Sequence, residues 1–176
     1  MKSNNRERVI VMPWEIRQII LGIHIFLAIS WVGGVFFIGW GVFPSVRKLA
    51  FAQQRQFFLA LMSWSHGILT TAGAGVILTG IILGTVAGPI DQWNDIWHTR
   101  YGMIWFTALI IALFTLLWGV FVGYRQSIKV FSNVTLWESA DSGNAKPLKK
   151  ALTTTVLLES VEVSGFVALI ICMVLL

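Results

Sequence analysis

The chain has 176 residues, of which 56% are hydrophobic and only 12% charged, and its mean hydropathy is +0.77. An ordinary soluble domain carries about twice that share of charge, so a soluble fold is excluded, and this length leaves room for one domain over residues 1–176. The net charge of +5 does not point to nucleic acid, because the basic residues gather at the ends of apolar stretches, where anionic lipid headgroups meet them.

The amino-terminal residues Lys2, Arg6 and Arg8 precede a long apolar run. That run exceeds the length of a signal-peptide core and lacks a small-residue cleavage site, so it reads as a retained first span. Four apolar stretches follow in order, at about residues 17–43, 57–86, 101–124 and 152–176. A hydrocarbon layer about 30 Å thick is crossed by about 20 helical residues, and unpaired backbone groups cannot face lipid. The expectation is an all-α fold, an integral membrane four-helix bundle, whose first partner is the lipid bilayer.

The first span carries His24 and the second His66, with Met62 one helical turn before it. A thioether and an imidazole on one helix face suit copper(I). The segment between the second and third spans holds Trp93, Trp97, His98 and Arg100 and reads as an external loop with aromatic anchors, His98 standing at its mouth as a candidate entry ligand. Trp14, Tyr101, Tyr124 and Trp137 read as members of the same interfacial belt. Gly80, Gly84 and Gly88 on the second span, and Gly119 with Gly123 on the third, are spaced for close helix approach.

The last span carries Glu159 and Glu162. Three residues apart, they share a helix face, and two carboxylates close together in low dielectric do not both ionise. They are candidates for a polar core or proton relay, with hydrogen bonds to His66, Ser63 or Ser30 as the structural alternative. Counted by helical rise, they bracket the level of His66, whereas His24 lies nearer the opposite end. Cys172 is the only cysteine, which excludes an internal disulfide; it reads as a small apolar side chain. Eight basic residues, Arg47, Lys48, Arg55, Arg125, Lys129, Lys146, Lys149 and Lys150, lie on the side away from the termini, so both termini are expected outside.

His24-Ile-Phe-Leu-Ala-Ile-Ser-Trp31-Val-Gly33-Gly34 resembles the opening of the membrane domain of the copper-resistance protein D (CopD) family. Arg55-Gln-Phe-Phe with Leu78-Thr-Gly80, Thr99-Arg-Tyr-Gly102, and Leu158-Glu159 through Gly165 resemble its later spans in the same order. The resemblance implies a bacterial cytoplasmic-membrane protein that handles or transports copper, with an external copper-delivery protein as partner. The related HemJ-type protoporphyrinogen oxidases imply instead haem b held by the first-span histidine, here His24, which would make the protein a haem-dependent membrane oxidoreductase. No lysine stands in the third span, where these groups are expected to carry a basic residue. A structural membrane subunit without cofactor is the third alternative. Trp31, Gly33, Gly34, Gly80 and Gly84 read as helix-packing residues, and the small-residue faces are compatible with a homo-oligomer.

Overall fold

The computed structural model describes residues 13–176, so Lys2, Arg6 and Arg8 lie outside the described residues. Within them the chain is helical, without a strand. Four helices are long and apolar enough to cross a membrane: α1 (Trp14–Val46), α2 (Phe51–Gly84), α4 (Arg100–Ser132) and α6 (Lys146–Leu175). Two short helices lie between them, α3 (Trp93–His98) and α5 (Val134–Asp141). This is an all-α four-helix membrane bundle. Its outer faces carry Phe26, Trp40, Trp64, Leu78 and Val174, all well over half exposed, a surface suited to lipid tails and not to water.

The helices outrun the apolar stretches at the end of the bundle away from the termini. There α2 begins at Phe51, α4 continues to Ser132 and α6 begins at Lys146, so most of residues 125–151 is helical. The extra turns fold because they have a core of their own, built from Val46, Phe58, Val130, Phe131, Trp137 and Leu148. Phe58 and Phe131 stack with centroids 4.8 Å apart, and the Trp137 indole donates to the Val130 carbonyl at 3.0 Å. Trp137 is 2% exposed and so belongs to this core, not to an interfacial belt. Trp93 and Trp97 are exposed, as expected for anchors.

Side-chain caps mark the turns. The Thr99 hydroxyl accepts from the Gly102 amide at the start of α4, Asp95 Oδ2 accepts from the Gln92 amide at α3, and Asn133 Oδ1 accepts from the Leu136 amide at α5; each satisfies an otherwise orphaned donor. Gly143, at φ +102°, makes the turn into α6 in a region costly for residues with a β-carbon.

Two helices widen locally into π turns. In α1 the segment Phe37–Val42 is π-helical, with the Phe43 amide bonded to Ile38 O. Pro44 follows; it has no amide proton and its ring crowds the preceding turn, which disfavours a regular helix there. In α4 the π segment is Gly119–Gly123, with the Tyr124 amide bonded to Gly119 O. α1 packs chiefly on α2 and α4 on α6, while α2 joins the two pairs through α4. α1 and α6 have little direct backbone contact, so the space between them is filled by side chains or left as cavity.

Candidate functional site

On α6, Thr155, Glu159, Glu162 and Phe166 recur at helical spacing and occupy one face. Glu162 is 7% exposed and Glu159 is half-buried. Opposite them on α4 stand Gly119 and Gly123. A β-carbon on Gly119 would lie 2.8 Å from Glu162 Oε1, and one on Gly123 would lie 3.1 Å from Glu159 Oε1. The glycine pair therefore makes room for two carboxyl groups, where the sequence pattern alone pointed to backbone-to-backbone approach. Glu159 Oε1 accepts a hydrogen bond from Ser127 Oγ at 3.1 Å, and the Trp31 indole lies beside Glu162.

Both carboxyls face a cavity of about 390 Å³ in the half of the bundle remote from the termini. Met62 and His66 of α2 line it, with Tyr124 of α4 and Trp31 and Trp40 of α1. The His66 ring lies flat on Tyr124, centroids 3.7 Å apart and 12° from parallel, so Tyr124 is a wall of this cavity. Both π segments reach this cavity, through Ile38–Trp40 and Gly119–Val120, and π turns are frequent at functional sites. No lysine or arginine lines it among the described residues, so none of these supplies an ammonium or guanidinium group to the carboxyl pair. Ser63 and Ser30 donate to their own helices, at Ala60 O and Phe26 O, and the interhelical hydrogen bond of the structural alternative is made to Glu159 by Ser127 instead of His66, Ser63 or Ser30.

A second cavity, about 430 Å³, occupies the half of the bundle nearer the termini, lined by Arg17, His24, Gly80, Gly84, Tyr101, Trp105 and Phe166 among others. His24 Nδ1 lies 2.8 Å from Thr79 Oγ1. The Thr79 hydroxyl donates to Gly75 O at 2.7 Å, which uses its one proton. With the hydroxyl so engaged, His24 would donate from Nδ1–H and leave the Nε2 lone pair free. The imidazole edge sits in the space left by Gly80, 3.3 Å from where a β-carbon would stand. The notch at Gly84 is filled by the Trp105 indole, which donates to Gly80 O at 3.1 Å. Here too small residues on one helix receive side chains of another.

The remaining sequence candidates lie elsewhere. His98 is exposed on α3, donates from Nδ1 to Asn94 O at 3.0 Å, and lines neither of the two cavities. Gly33 faces open space, and Gly34 meets only the Leu69 side chain. Cys172 is half-buried and free. The three histidines occupy three separate places, and among the described residues no three His, Cys, Asp or Glu side chains cluster as a metal group. For copper(I), the thioether of Met62 and the imidazole of His66 share the first cavity and suit a soft to borderline ion, while the carboxyl groups beside them are hard donors. For haem, His24 offers one nitrogen with a free lone pair in the second cavity, and neither His66 nor His98 shares that cavity as a second axial partner.

Sequence reasoning missed Tyr124, Ser127 and the position of Trp31. The signal for the first two was present, since the glycine pair on α4 and the acidic pair on α6 have nearly the same spacing. Compared with protein-family models, curated proteins and solved structures, the chain matches none of them.

Proposed function

We propose that this multi-pass membrane protein handles copper(I), held in the acidic cavity by Met62, His66 and the Glu159/Glu162 pair. One observation carries the reading: two carboxyl groups at membrane depth face a cavity that also presents a thioether and an imidazole and, among the described residues, no lysine or arginine. Paired carboxylates in low dielectric need a proton or a cation. Sulfur with imidazole selects a soft ion over sodium or calcium. The resemblance of the His24–Gly34 segment to the copper-resistance family points to the same ion, to the bacterial cytoplasmic membrane and to an external protein that delivers copper.

A second reading rests on His24. Its ring is held by Thr79 through Nδ1 at 2.8 Å, as the outer partner of a metal-ligating histidine holds it, and this supports a b-type haem in the second cavity. Such a haem would supply one-electron redox chemistry.

Both readings are tested by elemental analysis for copper and iron, with a reduced-minus-oxidised optical spectrum, on detergent-purified protein from copper-supplemented cells. Stoichiometric copper without haem bands supports the first reading. Stoichiometric iron with a Soret band that disappears in His24→Ala replaces it with the second, and the absence of both metals leaves a structural subunit.

A further inference from the structure

The two cavities have one residue in common, Trp31. Its side chain is 2% exposed and meets Phe166 edge to face, with centroids 5.0 Å apart and planes at 88°. Phe166 is itself fully buried and lines only the second cavity. On the far side the indole lies over Gly73 of α2, 2.9 Å from where a β-carbon would stand, so α2 offers the ring a flat seat. Because α1 and α6 make little backbone contact, the layer between the two cavities is made of side chains, and Trp31 is the only one that faces both.

The polar groups are ordered on either side of this layer. Along α1, His24 stands two turns from Trp31 toward the termini, about 10 Å by helical rise. Along α6, Glu162 stands one turn from Phe166 on the other side, and Glu159 one turn further. Between α4 and α6, Thr115 is 1% exposed, and its hydroxyl, which has no hydrogen-bond partner, takes the space a β-carbon on Gly165 would need. Arg17, the one arginine or lysine in either lining among the described residues, is engaged with Ala87 O at 3.1 Å.

We infer that the two cavities are opposite vestibules of a single route through the membrane for a small cation, and that the Trp31 indole is the barrier between them. Acidic groups face one vestibule, an imidazole faces the other, and rotation of one indole away from Phe166 joins them. The route does not depend on copper being the ion, so it stands or falls separately from the proposed function.

The test is sided thiol labelling in right-side-out and inverted membrane vesicles, using a charged, membrane-impermeant maleimide. In a Cys172→Ser background, Ser65→Cys places a thiol on the first cavity and Ala28→Cys places one on the second. With Trp31 intact, each thiol reacts in one vesicle orientation only, and the orientations are opposite. Adding Trp31→Ala gives each thiol reactivity in both orientations, whereas Trp31→Phe, which keeps a ring in the layer, preserves the sidedness.

Reaction of both thiols from the same side, or of neither from any side, overturns the proposal. So does unchanged sidedness in a Trp31→Ala protein that melts like its parent. If Trp31→Ala does not fold, the pattern of the two thiols with Trp31 intact decides the question.

Discussion

The carboxyl of Glu162 occupies the space that Gly119 leaves by having no side chain, with Oε1 2.8 Å from where a β-carbon would be. Gly119→Ala therefore pushes the carboxyl and little else, because the group it meets is the end of a flexible chain. The helix itself gains about 0.5–1 kcal/mol from replacing glycine. The expected outcome is a melting temperature equal to or above that of the parent, together with weaker copper binding. Unchanged affinity would mean that the carboxyl position is immaterial.

The notch at Gly84 behaves differently. There a methyl group meets the Trp105 indole, which is rigid and tied to Gly80 O by its hydrogen bond. Overpacking of this kind costs about 1–3 kcal/mol. Gly84→Ala should lower the melting temperature in detergent, and combining it with Trp105→Leu should cost less than the two changes summed. Strict additivity would show that the two positions do not touch.

Glu159→Gln and Glu162→Gln keep the shape of each side chain and remove its charge. Two close carboxyl groups in low dielectric are costly to ionise, and an amide of the same shape removes that cost. Each single variant should hold or raise thermal stability while losing copper affinity, and Ser127 can still donate to the amide oxygen of Gln at position 159. A large fall in stability in both would make the pair a structural element instead.

His66 is held by the face of Tyr124, and aromatic stacking contributes about 0.5–1.5 kcal/mol beyond area burial. Tyr124→Phe should therefore leave copper affinity and the His66 imidazole resonances unchanged in a spectrum of selectively labelled protein. Tyr124→Ala should broaden those resonances and weaken binding.

The four spans were legible because lipid demands long uninterrupted apolar runs. Their ends remote from the termini were not, since the turns carrying Arg55, Lys129 and Lys149 are held by the small core around Trp137 and Phe131, which hydropathy does not detect. The acidic pair was legible from its cost at membrane depth. Its seat was not: Gly119 and Gly123 read as a helix-contact motif until the helix opposite was known. The different levels of His24 and His66 were legible from helical rise, whereas the place of Trp31 between the two cavities depends on which helices neighbour each other, and one-dimensional spacing does not contain that.

The central claim is that the acidic cavity binds copper(I), and the most direct measurement is anaerobic titration against a chromophoric copper(I) chelator in detergent. Parent protein, the double Glu159→Gln/Glu162→Gln variant, His66→Ala and His24→Ala would be compared. The account predicts stoichiometric binding by the parent and His24→Ala, and loss of binding in the other two. Copper retained by the double variant and by His66→Ala, or lost only in His24→Ala, would contradict it.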